Sequence, residues 1–251
     1  MSVSKLVLTI AIGVALTMTL GAPSKAQIPE EFSNLQLLPE DIGQRDLINV
    51  MRGFASSLGV RCNHCHVGEN TATLEDFDFA SDEKETKKIA RVMMQMTDAI
   101  NKNHMPQIGR ADAKEVRCGT CHSGLTKPTT LRAELLSEYD EKGLDATKLM
   151  YEEMREEYYG EGVFNFSEFA LTGLAERLAR GHKDTDGAQE ILEYNLELFP
   201  ESAYTYGQMG RLAMLTGDTA AAITALEKAV ELDPESDWWK NKLAQAKGEA
   251  E

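Results

Sequence analysis

Cys62-Asn63-His64-Cys65-His66 and Cys118-Gly119-Thr120-Cys121-His122 repeat one pattern, Cys-x-x-Cys-His, and together they use every cysteine of the chain. Two thiols three residues apart on one turn can each form a thioether with a haem vinyl group. The histidine that follows then stands under the iron as an axial ligand. A four-cysteine zinc site shares the paired Cys-x-x-Cys spacing, but it gives no reason for a histidine after the second cysteine in both copies. The pattern therefore predicts two covalently attached haem c groups. Cys62, Cys65, Cys118 and Cys121 would hold them, with His66 and His122 on the irons. No thiol is left for a disulfide.

The elements that must present these motifs are helical. Leu47, Met51, Phe54 and Leu58 recur at four- and three-residue steps, and Gly59 follows where a left-handed cap would close the helix. Before the second motif, Ser81-Asp82-Glu83 is a candidate helix start, and Ile89, Val92, Met93, Met96 and Ile100 make one stripe. Met94 falls off that stripe. A thioether on the open side of the iron completes six-coordination and raises the reduction potential. Met51 is the candidate for the first haem. Met93 and Met96 compete for the second, with His104 as an outside candidate. His64 is expected to point to solvent, and His182 lies far from both motifs in the sequence.

Residues from about Leu38 to Lys127 resemble the photosynthetic reaction-centre cytochrome c subunit family. The likeness rests on Met51 to Gly59 leading into Cys62-x-x-Cys65-His66, and on Ala90-Arg91-Val92-Met93-Met94-Gln95-Met96-Thr97-Asp98-Ala99-Ile100-Asn101. It resumes at Val116 and ends in Cys118-x-x-Cys121-His122-Ser123-Gly124. The resemblance implies that each haem packs along the helix before its motif, with Met51 opposite His66 and Met93 opposite His122. Reaction-centre members of the family carry two such pairs of haems; this chain has one. Their distant histidine ligand has no clear counterpart here, since Gln107 falls near its place and His104 is out of step.

The carboxyl-terminal half has a different period. Asn195-Leu196-Glu197-Leu198-Phe199-Pro200-Glu201-Ser202 recurs as Ala229-Val230-Glu231-Leu232-Asp233-Pro234-Glu235-Ser236, a spacing of about 34 residues that marks a tetratricopeptide repeat. Gly210 and Ala222 are small where two helices should cross closely, and Gly217-Asp218 should turn between them. A looser copy runs from about Phe166 to Leu198, and Trp238 to Lys247 should form a capping helix. So few repeats bury little alone, which predicts docking on the haem region, a partner or a second copy. The expected fold is all-α. Its parts would be a signal peptide at 1–26, a dihaem cytochrome c domain at 27–128, a helical connector at 129–163 and a repeat region at 164–251. The connector should include a helix from Leu144 to Tyr158, broken at Gly160-Glu161-Gly162, with Tyr158-Tyr159 as an anchor on the repeats. Its charge run Glu152 to Glu157 should form a solvated face.

Lys5, the apolar run Leu6 to Leu20 and the small residues at Ser24-Lys25-Ala26 predict export and cleavage before Gln27, hence a periplasmic protein. Membrane association would then come only through a partner or an uncleaved signal anchor. The chain carries 26 basic and 41 acidic residues, a net of −15. Removing 1–26 takes Lys5 and Lys25 and no acid, so 26 less 2 leaves 24 basic against 41 acidic, a net of −17. That balance excludes nucleic-acid binding and suits redox partner proteins with basic docking surfaces. A methionine for each iron favours a carrier of single electrons, with no substrate and no catalytic residues. The alternatives are a dihaem peroxidase-like enzyme, which needs an iron able to open, and a haem-based sensor or scaffold.

Overall fold

The computed structural model describes residues 31–110 and 112–249, so the segment read as a signal peptide lies outside the described residues. The protein is all-α. Ten α-helices and no strand occur among the described residues, apart from one isolated bridge between Val67 and Asp78. Backbone contacts group the chain into two units: residues 31–47 with 61–95, and residues 48–60 with 96–249. This grouping runs through two helices and does not follow the boundary at residue 128 read from the sequence.

Helix α1 (Gln44–Leu58) carries the expected apolar face, with Leu47 buried and Met51, Phe54 and Leu58 half-buried. Gly59 closes it at φ +65°, a conformation that costs other residues about 1–2 kcal/mol. Helix α2 (Glu85–Ala99) starts later than Ser81. Asp82 is not a cap. Its carboxylate takes hydrogen bonds from Asn34 and Gln36 and pairs with Lys87 and Arg91. These ties also turn the helix. Lys87 is buried and Arg91 half-buried, so the expected apolar stripe divides: Met93 and Ile100 are half-buried, whereas Ile89, Val92 and Met96 stand 54%, 62% and 45% exposed. A π-helical turn, Ile100–His104, and a 3-10 turn, Met105–Ile108, follow. Helix α3 (Cys118–His122) is the second motif itself.

From α4 (Leu131–Lys142) onward the helices stack as antiparallel pairs: α4 with α5 (Leu144–Tyr158), α6 (Phe169–Arg177) with α7 (Thr185–Leu198), and α8 (Ala203–Thr216) with α9 (Thr219–Leu232). Helix α10 (Asp237–Lys247) packs on α9. Oxygens of Thr130, Asp184, Ser202, Asp218 and Ser236 cap α4, α7, α8, α9 and α10, each accepting an amide three residues on. One apolar cluster runs from Leu131 and Leu135 through Tyr151, Phe166 and Leu174 to Ile191 and Leu212. The segment read as a connector is therefore part of the repeat core. Its α4–α5 pair supplies the neighbour that a short array needs. The outer face of α5 is solvated as expected, with Glu152, Glu153, Glu156 and Glu157 exposed. Gly210 and Ala222 meet as expected: a Cβ on Gly210 would lie 2.5 Å from Leu226 Cγ and 3.2 Å from the Ala222 carbonyl oxygen. Tyr158 packs edge-on against Phe164, while Tyr159 is exposed.

Candidate haem sites

The first motif opens on a 3-10 turn, Cys62–His64, and the His66 amide returns to the Cys62 carbonyl at 3.0 Å. That turn places the two thiols and the imidazole at the end of one short helical step. Side chains from the α2 entrance hold it: Lys84 Nζ donates to the Asn63 carbonyl at 2.5 Å, and the Thr86 hydroxyl donates to the His64 carbonyl. His64 is half-buried, not fully turned to solvent. The His66 ring meets the edge of Phe79 with centroids 5.1 Å apart, and Phe79 stacks on Phe77 at 5.4 Å. His66 Nδ1 is buried and has no hydrogen-bond partner. The Phe79 backbone lies near without bonding geometry and only partly opposes a downward pKa shift caused first by burial and then by the Lys87 charge. Both favour the neutral imidazole, the form that binds a metal.

The second motif is held differently. Gly124 N–H donates to the Ser57 carbonyl at 2.9 Å, and a Cβ on Gly59 would overlap the Gly124 carbonyl oxygen. The end of α1 therefore lies against this motif backbone to backbone, which only glycine permits. Asn101 brackets the approach to the motif. Its side-chain amide donates to the Val116 carbonyl at 2.8 Å and accepts from the Val116 N–H at 2.8 Å. His122 is buried, and its Nδ1 lies 2.7 Å from the Leu125 carbonyl oxygen. Since a carbonyl only accepts, Nδ1 is the donor, and in the neutral ring that leaves Nε2 with the lone pair a metal needs.

These residues fit haem. All four cysteines are free thiols, with Cys62 and Cys121 exposed and Cys65 and Cys118 half-buried. Each pair has an imidazole directly after it whose surroundings favour the metal-binding form. The exposed Ile89, Val92 and Met96 give α2 an apolar face of the kind that a large flat group covers. Met51 and Met93 are half-buried, each on the helix before its motif, and His104 is exposed. His182 sits elsewhere, 3.6 Å from Asp140 and edge-on to Tyr139. Thr86, Lys87 and the Asn101 bracket were missed in the sequence. Only Asn101 left a trace there, as the last residue of the specific run through Met96 and Ala99-Ile100.

Residues 21–153, just over half of the chain's 251, match the model of the family described as photosynthetic reaction centre cytochrome C subunit. The chain belongs to that family. The match to this cytochrome family extends beyond the motifs, through α4 and into α5. Residues 179–246 match the tetratricopeptide repeat. A search of curated proteins returns no match. Membership makes this a cytochrome with covalently bound haem c and an electron-transfer role, a carrier by family type, whose partners are redox proteins. The repeats add a protein-interaction element. Among the described residues, no helix is long and apolar enough to cross a membrane.

Proposed function

We propose that this cytochrome is an exported, periplasmic dihaem carrier that passes single electrons between redox proteins, in the manner of photosynthetic electron transport. Bound haem supplies reversible one-electron chemistry at iron. Cys62 and Cys65 form the thioethers of the first site and His66 its nitrogen ligand. Cys118, Cys121 and His122 do the same for the second, and Met51 and Met93 complete the two coordination sets. The domain bearing both sites is residues 27–128; the helical segment at 129–163 follows, its α4–α5 pair packed on the repeats at 164–251. The excess of acidic side chains steers partners with basic docking surfaces.

The observation that carries this reading is the His122 Nδ1–H···O=C Leu125 bond beside two free thiols. It leaves Nε2 as the ligand and holds the ring in place.

Haemochrome analysis of the purified full chain should give two covalent haems. The oxidised protein should show the near-infrared sulfur-to-iron band, which Met51→Ala and Met93→Ala each halve while Met96→Ala leaves it whole. Ferrous protein should bind carbon monoxide slowly. Rapid binding at neutral pH, stoichiometric with one haem, would overturn the carrier reading and favour the peroxidase-like one.

A further inference from the structure

Lys87 is 8% exposed, a rare place for a lysine, since an ammonium loses its hydration there unless it is fully paired. It is fully paired. Its three N–H donors match three carbonyl oxygens in succession, Phe79 at 2.9 Å, Ala80 at 3.1 Å and Ser81 at 2.7 Å. The Asp82 carboxylate lies 3.2 Å away and is shared with Arg91 at 2.8 Å. The cage fixes the chain at Phe79, whose ring packs on the His66 ring in a T-shaped contact. Lys87 and Arg91 both act on the His66 imidazole as positive charges, with Asp78 opposing them. With Asp82 beside them the cations Lys87 and Arg91 face two carboxylates, Asp78 and Asp82, so loss of the Lys87 charge alone would leave the surroundings of this ligand net negative.

A cage of this kind has a plain structural use, which is to tie residues 79–81 to α2. Two features go beyond that. The cage secures the ring that abuts an iron ligand, and it fixes a buried cation near that ligand where water screens it little.

We propose that Lys87 is a positioning and potential-setting residue of the first haem site, holding Phe79 against His66 and keeping a fixed positive charge beside that ligand. The charge favours the ferrous state, which carries one positive charge fewer, and so raises the reduction potential of the first haem. This inference rests on the haem ligation proposed above.

The test is a spectroelectrochemical titration of the full-length, haem-loaded protein and its variants, after a haemochrome count on each. A C118A/C121A chain, which carries only the first haem, assigns the two potentials. Lys87→Gln keeps hydrogen-bond donors but loses the charge. It should lower the potential of the first haem and leave the second in place, while Lys87→Arg stays close to wild type. Unchanged potentials in a Lys87→Gln protein carrying both haems would overturn the proposal. Asp82→Asn provides a second route should Lys87→Gln fail to load, because it keeps Lys87 and removes its counter-charge. There the first potential should rise, and an unmoved first potential would again overturn the proposal. A wild-type chain without haem at Cys62 and Cys65 would instead refute the ligation itself.

Discussion

Before Leu131, Leu47 is the one buried hydrophobic side chain among the described residues. From Leu131 onward, the buried set runs through Leu135, Tyr151, Leu174, Ile191 and Leu226 to Trp239. What the earlier region buries is polar, namely Lys87 and His122. What fixes its motifs is a set of individual ties, from Thr86, Lys84, Asn101 and the glycine pair Gly59 and Gly124. The repeats draw stability from apolar area removed from water, at roughly 25 cal/mol per Å². The region of the motifs has ligand-holding geometry but little apolar burial of its own, so haem has to supply the mass that a core normally provides. Family membership and the apolar face of α2 both point that way.

The largest expected effect breaks the comparison at its centre. Replacing Cys62, Cys65, Cys118 and Cys121 with alanine prevents covalent attachment, and helices α1 to α3 should then lose protection in hydrogen exchange. The pairs from α4 to α9 should keep theirs, because their two apolar clusters contain no residue before Leu131. Loss of protection throughout would show that the repeats depend on the haem region after all.

A second test works from the other side. Tyr151 is fully buried and meets Phe166 and Tyr194 edge-on at 5.8 Å and 6.0 Å. Tyr151→Ala should cost roughly 3–5 kcal/mol in urea unfolding of the array, the range for deleting a large buried aromatic ring. Covalent haem content should not change. A cost under about 1 kcal/mol would mean that α5 is the loose connector its charge suggests, not a member of the core.

The repeats were legible in the sequence because each position there has a geometric duty repeated at a fixed period. Gly210 against Ala222 and the turn at Gly217-Asp218 stand where the period put them. The packing of the connector helices into the repeat core was not legible, because the four exposed glutamates of α5 hide a buried face carried by few residues, Tyr151 chief among them. In the region of the motifs, the cysteines and histidines were plain, since thioether chemistry dictates their spacing. The stripe on α2 was not. A periodicity count treats Lys87 and Arg91 as solvent-facing, whereas carbonyls at 79–81 and the Asp82 carboxylate draw both inward. Those partners come from the loop before the helix, and side-chain-to-backbone bonds of that kind leave no pattern in a single sequence.

Gly59 offers a sharper, more local test. Its positive φ and the overlap a Cβ would make with the Gly124 carbonyl oxygen both oppose any side chain. Gly59→Ala should cost at least about 1–2 kcal/mol from the left-handed conformation alone. The second motif should be the one to suffer, read as a fall in haem bound at Cys118 and Cys121 with that at Cys62 and Cys65 kept. Equal loss at both would show that the contact supports the region generally.

The smallest expected effect asks what a polar tie is worth when a core surrounds it. Asp184 caps α7 by accepting the Gly187 N–H at 2.8 Å, and it also accepts the Tyr139 hydroxyl at 2.5 Å. The Tyr139 bond first, and the Gly187 amide second, hold its carboxyl below the usual carboxylate range, while the Tyr139 hydroxyl is pushed up to about 12. Because the folded-state pKa is depressed, the stability from Asp184 is fully present above the ordinary value of 3.8 and is lost as pH falls through the folded value. Asp184→Ala should cost about 1 kcal/mol at neutral pH, the usual value of a helix cap. The gap from wild type in urea unfolding should narrow steadily once pH drops below about 4. Asp184→Asn keeps a capping oxygen but cannot titrate, so it should retain most of the neutral-pH stability and show no such narrowing. A gap that stays constant into acid would mean that the carboxylate charge adds nothing beyond the cap's geometry. In the repeats, a tie of this kind is expected to trim stability at the edge. In the region of the motifs, loss of a comparable tie is expected to cost the site itself.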